Sequence, residues 1–179
     1  MPNWCYNRIT VYGSEESEAK LKDIEKIFEK ENPFNEIFPI PDFKNIPNEK
    51  GELPKIEQHK NDKGEVVWET FNFPDGTNDD RWYHWCINKW GTKWDASEPC
   101  VDHSKHSTSY GFETAWSPPT DWIEAVSKKF PHLMFKVTWV EEQLFGARFD
   151  IQGGDYFWQQ DMTEEQCKEY MGIEDDEEE

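Results

Sequence analysis

The chain has 179 residues, enough for one substantial hydrophobic core, and its 38 acidic and 19 basic residues give a formal net charge of −19. A field of this sign repels phosphate backbones, so direct binding to DNA or RNA is disfavoured and a partner protein with a basic surface is expected. No stretch has the length of a membrane span and the first residues lack the pattern of a secretory leader, so we expect a cytoplasmic protein with no membrane partner.

The first predicted elements are a strand and a helix that packs on the same sheet. Residues 3–13 (NWCYNRITVYG) alternate between two faces and are rich in β-branched and aromatic residues, which predicts a central strand. Gly13 ends this strand, and Ser14 followed by several glutamates favours a helix N-terminus. The apolar stripe of the helix consists of Leu21, Ile24, Ile27 and Phe28.

A long polar insertion is predicted after this helix. The Asn-Pro pair at residues 32–33 breaks the helix, and residues 34–41 (FNEIFPIP) are expected to form an extended apolar segment at the edge of the core. From residue 42 the chain is polar and interrupted by prolines and glycines, so we interpret residues 42–80 as an insertion. Within it, Lys63 and Gly64 separate two short runs, which predicts a small hairpin.

Residues 81–96 (RWYHWCINKWGTKWDA) contain four of the ten tryptophans. Helical spacing places three of these indoles on one face, with cap residues before the helix and Gly91 after it. We expect the indoles to lie in the core, because an exposed stacking platform of this size for bases or sugars would promote aggregation. The tryptophans assigned to the core are Trp82, Trp85, Trp90, Trp94, Trp116 and Trp122.

The remaining elements complete a recognisable order. Strands are predicted over 96–104, 108–116, 133–141, 145–151 and 155–160, with helices beginning at Thr120 and Thr163. The order matches an α+β, ferredoxin-like split βαβ fold: an antiparallel sheet with its helices on one face, an added edge strand and the long insertion. We expect a single domain over residues 1–172, followed by a disordered acidic tail at 173–179.

Three segments carry a resemblance to a known family: residues 1–13, residues 81–96 and residues 112–131 (FETAWSPPTDWIEAVSKKFP). They resemble the Api-like family of phage and conjugative-plasmid proteins. The resemblance implies a ferredoxin-like fold, a mobile-element origin and a bacterial host cell, and it carries no established activity or catalytic residues. "Ferredoxin-like" names a topology here, since four dispersed cysteines cannot supply an iron–sulfur ligand run, and no cofactor is expected.

The favoured functional hypothesis is a non-enzymatic acidic binding protein. Its charge suits docking on a host or mobile-element protein, and in a sharper form it mimics nucleic acid and occupies the basic channel of a defence complex. The simpler alternative is that the charge serves only solubility. Besides the tail, the acidic residues assigned to the partner surface are Asp42, Glu49, Glu52, Asp62, Glu65, Asp75, Asp79 and Asp80.

A second hypothesis is a metal-binding or cysteine-dependent enzyme centred on residues 100–106 (CVDHSKH). On a loop, Cys100, His103 and His106 have the spacing and chemistry to bind zinc, with Asp102 or His84 as a fourth ligand. The pattern matches no standard zinc motif. A Cys100 nucleophile with His103 as its base is a weaker variant, because nothing indicates an oxyanion hole.

A third hypothesis is single-stranded nucleic-acid binding on an open sheet face. Aromatic side chains on such a face can stack on bases, as in RNA-recognition sheets. The net charge disfavours this hypothesis. The aromatic residues assigned to it are Trp4, Tyr6, Tyr110 and Trp116.

Overall fold

The computed structural model describes residues 2–173, which form two compact units: residues 2–39 with 87–173, and residues 40–86. No helix in this part of the chain is long and apolar enough to span a membrane. The elements are β1 (Trp4–Tyr12), α1 (Glu18–Phe28), α2 (Pro33–Ile37), β2 (Lys55–Lys60), β3 (Val66–Asn72), α3 (Arg81–Trp90), β4 (Ser97–His103), β5 (Ser107–Ala115), α4 (Thr120–Lys129), β6 (Met134–Glu141), β7 (Phe145–Gln152), β8 (Asp155–Asp161) and α5 (Glu164–Met171).

The first unit is built on a six-stranded sheet in the order β4-β5-β1-β6-β7-β8. Every neighbouring pair is antiparallel. Strands β4, β5, β1 and β6, with α1 after β1 and α4 between β5 and β6, form the split βαβ pattern. The predicted α+β ferredoxin-like fold is therefore confirmed, and β7 and β8 extend the sheet beyond β6.

One face of this sheet, the helix face, carries α1, α2 and α4 and holds an aromatic core. The ring of Phe28 in α1 stacks on Tyr110 of β5, with the ring centroids 4.5 Å apart. Phe34 of α2 lies 4.7 Å from Trp122 of α4 and packs edge-on against Phe112 of β5. All of these rings are buried, so a few large side chains replace the aliphatic residues of a more typical core.

Helix α2 occupies a segment that the sequence analysis predicted to be extended. Pro33 suits the first helical position, because the missing N–H would have no intrahelical partner there. The carboxylate of Asp95, far away in sequence, accepts hydrogen bonds from the backbone N–H groups of Phe34 and Asn35, each at 3.0 Å. The prediction of an extended conformation failed because a contact with a residue far away in sequence stabilises the start of this helix.

The opposite face of the sheet, the open face, is partly covered by α5. This helix begins with a capping box between Thr163 and Gln166 and ends at Gly172 in the left-handed conformation. Val140 of β6 is buried beneath it together with Cys167 of α5. The two helices of the split βαβ pattern thus share one face as predicted, while the last helix lies on the other.

The tryptophans divide between the core and the surface. Trp90 and Trp122 are buried, as predicted, and Trp82 and Trp85 are partly buried. Trp94 and Trp116 are 39% and 44% exposed, so assigning them to the core was wrong. Both lie in turns beyond the periodic elements, where neither helical nor strand alternation directs a side chain inward.

The second unit, residues 40–86, contains the hairpin of β2 and β3 at the predicted place. Arg81 stabilises the segment that precedes β2, because its guanidinium donates hydrogen bonds to the backbone carbonyls of Phe43 and Ile46 at 2.8 and 2.9 Å. The guanidinium also lies over the rings of Phe43 and Phe73. The predicted insertion, residues 42–80, falls within this unit. The single-domain assignment stays a prediction, and residues 174–179 of the predicted tail lie outside the described residues.

Candidate functional site

The open face of the first unit contains a groove of about 400 Å³ beside the end of α5. Strand alternation creates it: Cys5, Asn7 and Ile9 of β1 are buried toward the helix face, so Tyr6 and Arg8 point to the open face. The residues lining this acidic groove include Tyr6, Arg8, Glu98, Gly111, Glu113, Tyr170 and Met171.

Antiparallel register sets the neighbours inside the acidic groove. Tyr6 pairs with Glu113 across β1 and β5, so the carboxylate lies beside the phenol ring on the same face. Arg8 pairs with Gly111, which has no side chain and leaves space above the strand. The β1–β5 pair therefore brings one cation, one carboxylate and an aromatic ring together, and Glu98 of β4 adds a second carboxylate to the groove.

Glu98 reaches the groove through an irregular backbone. Its φ is 47°, a left-handed conformation that non-glycine residues seldom adopt, and the pairing of β4 with β5 shifts register between Ser97 and Cys100. Pro99 follows immediately and cannot donate to a sheet ladder. Backbone strain of this kind occurs often at functional sites, and here it places a carboxylate in the groove.

Three carboxylates concentrate negative charge at this place. Burial raises the pKa of Glu113, and the charges of Glu98 and Glu142 raise it further. Burial, Glu113 and Glu142 likewise raise the pKa of Tyr6. Within residues 2–173, none of the three carboxylates forms an ion pair. With Arg8 as the one cation in the groove lining, the three carboxylates leave the site with a net negative charge that a further cation would neutralise.

An aromatic cluster lies next to the acidic groove, on the same side of β1 as Tyr6 and toward the start of the strand. Trp4 lies two residues before Tyr6, and its ring centroid is 6.2 Å from that of Trp94. The ammonium of Lys93 lies 4.5 Å from the ring centroid of Trp94 and 4.9 Å from that of Trp116. The exposed tryptophans therefore already hold one cation by cation–π interaction.

The structure does not bring the predicted zinc ligands together. Residues 97–103 form a strand and not a loop, so Cys100 and Asp102 face the open side while His103 faces α1. His103 lies 2.8 Å from Thr108 Oγ1 and 3.3 Å from a carboxylate oxygen of Glu29. No group of three His, Cys, Asp or Glu side chains in the described residues could hold a metal ion.

The same alternation separates the proposed nucleophile from its base. Cys100 and His103 point to opposite sides of β4, and His106 lies in the turn that follows. The hypothesis of a site at Cys100, Asp102, His103 and His106 assumed loop geometry, and strand geometry removes its basis. His84 lies in α3 and its Nε2 is 3.4 Å from Asp80.

Several acidic residues assigned to the partner surface have structural roles within the second unit. Asp79 is buried and accepts two hydrogen bonds from the Arg81 guanidinium at 2.7 and 2.8 Å, so its assignment to the partner surface was wrong. The Arg81 guanidinium lowers the pKa of Asp79. Hydrogen bonds from Thr77 and Lys50 lower the pKa of Asp75 to about 2.

The other acidic residues assigned to the partner surface differ in whether they accept hydrogen bonds. Glu52 and Glu65 accept hydrogen bonds from Asn48 and Asn61 in two tight turns. Asp42 accepts one from Asn45. Exposed side chains that remain in the assigned set are Asp42, Glu49, Asp62, Glu65, Asp75 and Asp80, and their role in partner binding stays a prediction.

The predicted nucleic-acid face is not assembled. Tyr110 is fully buried on the helix face, because its register partner is Ile9. Trp116 lies after β5 with a positive φ of 69°. Only Trp4 and Tyr6 occupy the open face as that hypothesis required, so its stacking surface was assigned wrongly.

The fold and the groove define an α+β, ferredoxin-like protein with a charged, aromatic-flanked open sheet face. Residues 89–178 match the family described as "Ferredoxin-like domain in Api92-like protein", and the chain belongs to this family, whose function is unknown. The predicted resemblance is thereby confirmed, whereas a phage or plasmid origin stays a prediction.

A solved structure shows a similar fold. The crystal structure of a protein api92 from Yersinia pseudotuberculosis aligns with a TM-score of 0.55 over 91% of this chain and 99% of that chain, at 10% sequence identity. At this identity the similarity concerns the fold alone. Comparison with curated proteins found no match.

The sequence analysis missed the acidic groove. The alternation of β1 indicated which side Tyr6 occupies, and Glu113 alternates in the same way on β5. Their proximity depends on the register between strands about one hundred residues apart, and the position of Tyr170 depends on how α5 crosses the sheet. No local pattern carries either piece of information.

Proposed function

We propose that this chain is a non-enzymatic binding protein that docks on the basic surface of a partner protein, using the acidic groove and the adjoining tryptophans. The observation that carries the proposal is the excess negative charge around Tyr6, where Glu98, Glu113 and Glu142 outnumber the single cation Arg8. The net charge of −19 adds long-range attraction for such a partner.

The energetics favour a cationic ligand at this place. Burial and, after it, the like charges of Glu98 and Glu142 disfavour the ionised form of Glu113 and raise its pKa. A lysine or arginine side chain from a partner would neutralise this repulsion and make charge-assisted hydrogen bonds. The rings of Trp4, Trp94 and Trp116 lie beside the site and offer apolar and cation–π contacts.

In its sharper form, the proposal has the acidic surface mimic nucleic acid and occupy the basic channel of a host defence complex in the bacterial cytoplasm. Net charge supports this form, and the mobile-element origin implied by the family resemblance makes a defence target reasonable. Competition with nucleic acid distinguishes this form from docking at another surface. Added duplex DNA or RNA should displace this chain from the basic channel of its partner, whereas it should not displace the chain if the chain binds the partner outside that channel.

The test is affinity capture of the full chain from a bacterial host lysate, with nuclease and across a salt series. The substitution set Glu98→Gln, Glu113→Gln and Glu142→Gln should abolish capture of the partner that the wild type retains at low salt. The matched control, Glu15→Gln, Glu31→Gln and Glu36→Gln, makes the same charge change at exposed positions and should retain it. Capture that is equal in both variants, or unaffected by high salt, would contradict the proposal.

A further inference from the structure

The two edges of the six-stranded sheet differ in how they are protected. At the β4 edge, Pro99 lacks a donor and the backbone is irregular at Glu98, so a further strand cannot pair along it regularly. At the other edge, the seven residues of β8 include no proline and no lysine, and no described strand pairs with the outer side of β8. The outer N–H and C=O groups of β8 are therefore available to another chain.

Strand β8 also exposes apolar surface. All seven of its residues are exposed, and its three consecutive aromatic residues, Tyr156, Phe157 and Trp158, are 45%, 64% and 45% exposed. The register with β7 shifts at Phe157, which is the extra residue of a bulge, while Trp158 to Asp161 pair regularly. Large aromatic side chains along an open edge are typical of a binding surface.

The charges of β8 determine which occupant fits. The charged residues of β8 are Asp155 and Asp161, one at each end, and the bulge places them on opposite faces of the sheet, because Asp155 pairs with Gln152 and Asp161 with Ala147 of β7. Two copies paired through β8 would bring only acidic charges to the interface, and the net charge of −19 adds repulsion between copies. Burial raises the pKa of Tyr156, and the negative charges of Glu124 and Asp121 in α4 raise it further. A second copy is therefore disfavoured and a basic strand is favoured.

We propose that β8 binds an extended segment of a partner protein by strand addition, with a lysine or arginine beside Asp155 on one face of the sheet and another beside Asp161 on the other face. Side chains between them would pack on the aromatic residues, and the main chain would continue the sheet. The β7 partners of the two aspartates, Gln152 and Ala147, are five residues apart, about 17 Å of strand, so the segment has about six residues. The inference rests on the proposed function, because it takes the partner to be basic, but it uses a different surface.

The first experiment needs no partner and tests a second copy as the occupant of β8. Sedimentation velocity should show a monomer for the wild type, because only acidic charges of β8 would meet and the net charge of −19 repels a second copy. Trp158→Lys alters an exposed aromatic residue of the edge, and Glu15→Gln, at an exposed site remote from the edge in sequence, makes the same change in net charge and is the control. A wild-type dimer that Trp158→Lys dissociates and Glu15→Gln retains would overturn the proposal.

The second experiment uses a defined probe: an acetylated six-residue peptide with a lysine at each end and alternating threonine and valine between them, so that the two lysines point to opposite faces of the strand. Calorimetry should show binding about tenfold tighter than for the same peptide with terminal glutamates, because two cross-strand charge pairs change sign. The Asp155→Lys and Asp161→Lys double variant should reverse this preference. Amide shifts in NMR spectra should fall on β8, and shifts confined to the acidic groove would contradict strand addition.

Partner capture separates this inference from the proposed function. If Asp155→Asn with Asp161→Asn captures the partner as well as the wild type does, while the three-glutamate variant fails, strand addition is refuted for that partner and the groove proposal stands. The reverse pattern refutes the groove and supports β8.

Discussion

The two faces of the six-stranded sheet are built from the same strands and serve opposite purposes. On β1, Ile9 and Val11 are fully buried against the helices, while Tyr6 and Arg8, on the same strand, line the acidic groove. The helix face excludes water and stabilises the fold, whereas the open face keeps charged groups close together at some energetic expense. Alternation along a strand thus lets one segment carry both stability and a binding surface.

The largest effect is expected on the helix face, for Phe28→Ala. Removing this buried ring takes away its stacking on Tyr110 and leaves a cavity, so the free energy of unfolding should fall by about 3–5 kcal/mol. Urea denaturation followed by circular dichroism measures this change. Tyr6→Ala on the open face is the matched control and should cost far less. Equal losses for both variants would show that the two faces do not differ as described.

A smaller effect is expected for Asp95→Asn, which removes one of the two carboxylate oxygens that accept N–H groups at the start of α2. By analogy with loss of a helix cap, the free energy of unfolding should fall by about 1–2 kcal/mol. Hydrogen exchange should show faster exchange at the amides of Phe34 and Asn35 than in the wild type. Unchanged exchange at both amides would mean that Asp95 does not stabilise this helix.

The smallest effect concerns the protonation of Glu113 on the open face. Its pKa is raised by burial and by Glu98 and Glu142, so the folded state binds the proton more tightly than the unfolded chain does. The contribution of Glu113 to stability is therefore greatest below its unfolded pKa and declines as pH rises through its folded pKa. In Glu98→Gln, one repulsive charge is gone, and an NMR titration should show a lower pKa for Glu113. A pKa that is unchanged, or higher, would contradict the described electrostatics.

Acidification should act oppositely on the second unit. There Asp79 is ionised and bound to Arg81, which lowers its pKa, so its contribution to stability is present above the unfolded pKa and is lost as pH falls through the folded pKa. Amide exchange measured at successive pH values should show residues near Asp79 losing protection in acid. Asp79→Asn should remove that dependence while lowering protection at neutral pH.

The sequence predicted periodic elements well and their surroundings less well. The stripe of α1 and the alternation of β5 located their buried residues, because spacing along a helix or strand is a local property. Trp94 and Trp116 were misassigned because turn residues carry no period. The zinc hypothesis failed for a related reason: Cys100 and His103 were judged by spacing suited to a loop, and the strand points them apart.

By itself, the sequence determined the kinds of element except for α2, their order, the ferredoxin-like topology and the acidic character of the protein. These follow from hydrophobic period, turn residues and charge, all of which are present in short segments. Tertiary structure alone decided that Glu113 lies beside Tyr6, that Asp95 caps α2, and that β8 is an open edge. Each depends on residues far apart in the chain being brought together by strand register and packing, which no local pattern encodes.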